Sequence, residues 1–186
     1  EPNKVVFPDK VTEPVLYLTN YYSYPDHFVE YCLKEFGVEK TEVLLASYNK
    51  PRRVTYRVNT LNASVEDVIN LLTKNSIPFT RGLYLPEFIH VDSAGLPLER
   101  ELLQSGKVYV QDESAGLAVR MLNPKPGSEI ADLTAAPGGK TTYIAMKMHN
   151  KGRLTAVDKS HHRLEILVEN ARRLGITIIS PVACDM

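Results

Sequence analysis

The sequence is short of the features that most readily announce a function. Its 186 residues include two cysteines, Cys32 and Cys184, at no recognisable spacing, with no C-x-x-C and no Cys/His set. That argues against a zinc site or a disulfide framework and suits a reducing, cytoplasmic setting. Twenty-two basic residues balance twenty-two acidic ones, so no global field draws in a polyanion, and any nucleic-acid surface must be a local patch. No apolar run approaches the length of a membrane span. The acidic first residue and scattered charges do not resemble a signal peptide. Repeats and low-complexity tracts are absent, and so are the glycine fingerprint G-x-G-x-x-G and a complete G-x-x-x-x-G-K-[ST].

What is present is a globular balance, 44% hydrophobic and 24% charged, at a length for one ordinary domain or two small ones. Residues 1–20 hold three prolines without a clear period and read as a linker or the tail of an upstream segment. Residues 21–105 read as a small α+β domain of RRM or ferredoxin-like type. "YSYPDHFVEYCLKEFG" predicts a helix opened by Pro25 and stopped by Gly37, and "KTEVLLASYN" predicts another. "RRVTYRVNT" alternates Val54, Tyr56 and Val58 against polar neighbours, the pattern of a half-buried strand. "SVEDVINLL" predicts a helix capped by Ser64, and "PEFIHVD" and "KVYVQD" predict short strands. Residues 106–186 alternate helices and strands, as in parallel β-α-β units of a doubly wound sheet. The predicted strands are "SEIADLTAA", "RLTAVD" and "ITIISPVACD". Three strands make an incomplete sheet, so further strands are expected outside the given sequence.

The stretch "DLTAAPGGKTT", from Asp132 to Thr142, joins a predicted strand to a predicted helix through a proline and two glycines. Gly139, Lys140 and Thr141 supply the end of a phosphate-binding loop. However, Thr134 stands where that motif needs its first glycine, and Pro137 offers no N–H. A helix N-terminus after a tight glycine bend holds a carboxylate as readily as a phosphate. Asp158 ends the second predicted strand at the distance where such folds place an acid on ribose hydroxyls. Asp185 ends the third. An amino-acid carboxylate at the bend, a ribose at Asp158 and an adenine near Asp185 would suit S-adenosylmethionine. Asp132 is open to two readings, a ligand contact or an acceptor for the bend's own N–H groups.

"VQDESAGL", "DLTAAPGGKTTYIA", "AVDKSHHRLEILVENARRLG" and "ACD" together resemble the Nop/Sun family of RNA cytosine-5 methyltransferases, nearest its bacterial Sun/Fmu type, which acts on small-subunit ribosomal RNA. The upstream "YYSYPDHFVEYCLKEFG" and "YNKPRRVTYRVNT" resemble that family's small preceding domain. The resemblance implies a cofactor loop of Thr134, Ala135, Ala136, Pro137, Gly138, Gly139 and Lys140, with Asp158 on the ribose and Asp185 on the adenine side. One departure is Thr134, where the family usually has Cys. The family's mechanism adds a cysteine thiolate to C6 of cytosine so that C5 can take the methyl group. Neither Cys32 nor Cys184 sits in the family's catalytic contexts. The nucleophile is therefore expected beyond Met186, and the given chain is expected to bind cofactor without turnover.

The resemblance also turns Lys50, Arg52, Arg53 and Arg57, interleaved with Tyr48 and Tyr56, into RNA-contact candidates. Cys32 and Cys184 read as small buried residues, and "HHRLEILVENARR" as a solvated helix face. Lys140 reads either as a cofactor contact or as a solvated residue of the first turn. No metal and no membrane partner are expected, and a monomer is the default. The alternatives are a transfer-RNA methyltransferase of the same family, a P-loop-like nucleotide-binding protein, and an RNA-binding module without catalysis.

Overall fold

The computed structural model describes residues 7–50, 53–92 and 97–185. They fall into two compact units, Glu1–Arg52 and Arg53–Met186. The first is helical. The stretch read as a linker or the tail of an upstream segment holds the start of α1 (Pro14–Tyr22), which opens on Pro14, where a missing N–H costs nothing. Val15, Leu18 and Tyr22 of α1 recur at helical spacing and pack with Val29 and Leu45 of α2 (Asp26–Tyr48). Gly37 breaks α2 with φ 74° and ψ 173°, at the predicted stop, before the helix resumes.

The second unit begins with the ferredoxin-like arrangement βαββαβ. Its elements are β1 (Val54–Val58), α3 (Val65–Lys74), β2 (Phe79–Arg81), β3 (Phe88–Val91), α4 (Pro97–Gln104) and β4 (Val108–Val110). The strands pair antiparallel in the order β2-β3-β1-β4. The small domain therefore differs from the expected 21–105. Its sheet starts after the helical unit, and a boundary at 105 would cut β4 away from its partner β1. Ser64 caps α3 reciprocally: the Asp67 N–H donates to its hydroxyl at 3.0 Å, and the Asp67 carboxylate accepts the Ser64 N–H at 3.1 Å. Tyr56 and Val58 of β1 face the helices and share a core with Val68, Leu72, Ile89 and Leu102.

The rest of the unit is wound as α5 (Glu113–Leu122), β5 (Glu129–Asp132), α6 (Gly139–Lys147), β6 (Arg153–Asp158), α7 (His161–Arg173) and β7 (Ile179–Ala183). The strands are parallel in the order β5-β6-β7, so all three open at one carboxyl edge. That is where open α/β sheets hold their ligands.

The two sheets share one core. Leu85, Phe88 and Tyr109 from the ferredoxin-like part pack with Val119, Tyr143, Ile144 and Leu174. Phe88 meets Tyr143 edge to face, with ring centroids 5.7 Å apart. Burying such side chains contributes roughly 1.5–3 kcal/mol each. The amide of buried Asn59 donates to the carbonyls of Gly106 and Leu174, both at 2.9 Å. Gly106 takes φ 69°, and a Cβ there would lie 2.0 Å from the Arg173 carbonyl oxygen, so only glycine allows this approach.

Candidate cofactor site

The bend between β5 and α6 is built from its backbone outward. Asp132, the last residue of β5, is buried. It accepts the Thr134 N–H at 3.2 Å and the Thr141 hydroxyl at 2.7 Å. Of its two readings, the geometry favours fixing the bend. The Ala136–Pro137 peptide is cis. Gly138 follows with φ 108°, a conformation that a side chain resists.

Four successive carbonyls of the bend are taken up by the protein. The Ala136 carbonyl accepts from Arg163. The Pro137 carbonyl accepts from Asn170 at 3.2 Å and, at 3.5 Å, from the Tyr109 hydroxyl. The Gly138 carbonyl accepts from the Thr142 hydroxyl at 2.6 Å. The Gly139 carbonyl accepts from Arg57 at 2.8 Å. A trans peptide is planar, with C=O and N–H pointing opposite ways. Holding the Gly138 and Gly139 carbonyls therefore aims the next two N–H groups, those of Gly139 and Lys140, away from these donors. Both lie in the first turn of α6, where N–H groups have no partner within the helix. No side chain caps α6, whereas Asp112 and Ser160 cap α5 and α7. The result is a turn with its acceptors satisfied and its donors presented, suited to a carboxylate or phosphate.

Asp158 ends β6 beside this turn. Its carboxylate accepts the Ser160 N–H at 3.0 Å and the Ala136 N–H at 3.2 Å, and Arg163 pairs with it at 3.5 Å. The Ser160 N–H, the Ala136 N–H and Arg163 outweigh burial and hold this carboxyl below the usual aspartate range. A carboxylate offers about four acceptor sites, so capacity for a ribose hydroxyl remains. Leu133, Thr134, Asp158, Arg163, Cys184 and Asp185 line a cavity of about 260 Å³, near the lower end for small-ligand sites. Thr134, Lys140 and Asp185 are exposed, while Ala135 and Ala136 are buried. Of the expected cofactor residues, the structure thus brings Thr134, Asp158 and Asp185 to one cavity, with the Pro137–Lys140 turn following Thr134.

Several expectations are corrected. Cys184 is exposed, not buried, whereas Cys32 is buried as expected. Arg57 is 1% exposed and is not available to an RNA backbone. Its strand alternates as expected, but the face opposite Tyr56 and Val58 lies against α6 rather than solvent. Lys50 is exposed, and Arg53 pairs with Asp92 at 2.6 Å; Arg52 lies outside the described residues. The charged face of "HHRLEILVENARR" is not left wholly to solvent. Arg163, Asn170 and Arg173 hold, respectively, the Ala136, Pro137 and Val108 carbonyls. Their spacing of seven and three residues puts them on one helical face, a signal the sequence does carry. Among the described residues no group of three or more metal-ligating side chains occurs, and no helix is long and apolar enough to cross a membrane.

Residues 119–186 match the family described as 16S rRNA methyltransferase RsmB/F, and residues 24–97 match its ferredoxin-like domain. A probable ribosomal RNA small subunit methyltransferase B of Bacillus subtilis is 32% identical over 95% of this chain and 39% of its own length. A tRNA (cytosine(72)-C(5))-methyltransferase of Pyrococcus horikoshii is 41% identical over 57% of this chain and 27% of its own. The crystal structure of a methyltransferase homolog from Pyrococcus horikoshii superposes with a TM-score of 0.75 at 30% identity, over 92% of this chain and 56% of that one. The chain thus spans well under half the length of these curated relatives. With both of its modules matched, the chain belongs to the RsmB/F, or Nop/Sun, methyltransferase family.

Proposed function

We propose that this chain forms the cofactor-binding region of an S-adenosylmethionine-dependent RNA cytosine-C5 methyltransferase that acts on ribosomal RNA in the cytoplasm. The observation that carries the reading is the Pro137–Lys140 turn, whose Pro137, Gly138 and Gly139 carbonyls are engaged by protein donors. It adjoins a cavity edged by Asp158 and Asp185. The N–H groups of Gly139 and Lys140 would hold the amino-acid carboxylate of the cofactor. Asp158 would take the ribose, and Asp185 the adenine side. The bound group supplies an electrophilic methyl on a sulfonium, and the acidic strand ends suit that positive charge. Pro137, lacking an N–H, and Thr134, in place of a glycine, weigh against a triphosphate.

Ribosomal RNA is preferred over transfer RNA because the relative aligned over 95% of the chain is a small-subunit ribosomal RNA enzyme. Two transfer-RNA relatives align over less of it, 57% and 80%. Lys50 and Arg53 are the proposed RNA contacts. The thiol chemistry implied by the family is assigned to neither cysteine of this chain.

Calorimetry with S-adenosylmethionine and with ATP is the first test. Saturable binding of the methyl donor with no heat from ATP is expected, and the reverse would replace this reading with the nucleotide-triphosphate one. Filter binding to 16S ribosomal RNA fragments and to transfer RNA then tests the substrate class. Equal affinity for both would remove the preference for ribosomal RNA.

A further inference from the structure

We infer that Arg57, on β1 of the ferredoxin-like sheet, is a positioning residue for the methionine end of the cofactor. This rests on the cofactor site proposed above and adds a residue to it that does not touch the ligand. Arg57 is buried, its guanidinium 5.1 Å from the Tyr109 ring centroid and 5.0 Å from that of Tyr143. A flat cation flanked by two aromatic faces loses little freedom and is held in orientation. Its hydrogen bonds go to the start of α6 and to Gln111. One terminal nitrogen donates to the Gly139 carbonyl at 2.8 Å and to Gln111, and the other to the Thr142 hydroxyl at 2.9 Å.

The two targets in α6, the Gly139 carbonyl and the Thr142 hydroxyl, orient the turn. Arg57 holds the Gly139 carbonyl directly, and so sets the direction of the Lys140 N–H across the same rigid peptide. Through Thr142, whose hydroxyl also donates to the Gly138 carbonyl at 2.6 Å, it steadies the peptide that carries the Gly139 N–H. A fork of two terminal nitrogens is needed because the carbonyl and the hydroxyl are separate acceptors. Lysine, a single point charge on a flexible stem, lacks that fork. The cost of burying a guanidinium is visible in its pKa, which burial lowers to about 10 against the support of the two tyrosines. Arg57 still carries its charge at neutral pH.

The test measures S-adenosylmethionine and 5′-methylthioadenosine side by side by calorimetry. The second ligand keeps the nucleoside and lacks the amino-acid tail. In Arg57→Lys we expect the affinity for S-adenosylmethionine to fall about tenfold while that for 5′-methylthioadenosine stays within twofold. Thr142→Val, which leaves the arginine in place, should lower S-adenosylmethionine binding about threefold in the same selective way. A purely structural role for Arg57 would lower the melting temperature and weaken both ligands together. Parallel losses, or unchanged S-adenosylmethionine binding in Arg57→Lys, would overturn the inference. If Arg57→Lys does not fold, Thr142→Val decides between these outcomes. If the unaltered chain binds neither ligand, the cofactor reading itself falls and this inference falls with it. Binding by the unaltered chain with no selective loss in the variants overturns the positioning role alone.

Discussion

Gly138 concentrates the demands of the bend in one residue. Its φ of 108° is strained for any side chain, and an added Cβ would lie 3.2 Å from Leu167 Cγ. Gly138→Ala is therefore expected to destabilise the fold by roughly 1–3 kcal/mol and to weaken S-adenosylmethionine binding. Thermal melting and calorimetry on the same preparation check both. This residue was legible in the sequence, because a Gly-Gly step between strand and helix has few other uses. Arg57 was half legible. Alternation in "RRVTYRVNT" separates the faces of β1, but a two-residue period says nothing about what covers each face. A charged residue on the polar-looking face reads as solvent-exposed until a second layer is known to pack there. The same blindness made Arg163 and Arg173 look like surface charges, although both donate to backbone carbonyls of neighbouring segments.

At the scale of elements, capping chemistry was the most readable feature. Ser64 caps α3 as expected, and Ser160 caps α7. Ser160 accepts the Arg163 N–H at 3.3 Å, and Ser160→Ala should cost about 1 kcal/mol, measured by urea unfolding. The elements that escaped notice were short or weakly patterned: β2 has three residues and α4 eight, too few for a period to emerge. The α1 signal was present in Pro14, Val15, Leu18 and Tyr22 but was diluted by the prolines before it. One tie between elements invites a pH test. The Glu113 carboxylate, at the start of α5, accepts the N–H groups of Leu83, Tyr84 and Leu85 at 3.0, 2.7 and 2.7 Å. Burial pushes its pKa up, but these three N–H groups and His90 outweigh it, so the pKa lies below the usual value of 4.5. The stabilisation is then complete above about pH 4.5 and is lost as the pH falls through the lower, folded value. Glu113→Gln should lower stability near neutral pH by about 2 kcal/mol and flatten the decline below pH 4.5. Unfolding curves recorded from pH 7 to pH 3 would show both effects.

For the molecule as a whole, the informative fact is where independence ends. Sequence texture divided the chain near residue 105, whereas the compact units divide at 52 and 53. Within the second unit the ferredoxin-like sheet and the parallel sheet share Phe88, Tyr109, Tyr143 and Leu174 in one core. They are therefore expected to unfold together. Hydrogen exchange should give the slowest amides of β1 and β6 the same opening free energy, and Asn59→Ala, which breaks the ties to Gly106 and Leu174, should lower both equally. Separate values for the two strands would show that the shared core does not couple them. Contacts that join residues more than eighty positions apart, such as Arg57 to Thr142, leave no local pattern, which is why this union could not be read from the chain.

On the proposed function, the arginine clasp also limits how such an enzyme could be retargeted. Grafting a foreign front half onto this sheet, in the hope of exchanging one RNA for another, would remove Arg57 and Tyr109 along with the unwanted specificity. Unless the transplant brought its own guanidinium and ring to the same spot, the hybrid would acquire a new address and forfeit its grip on the methyl donor.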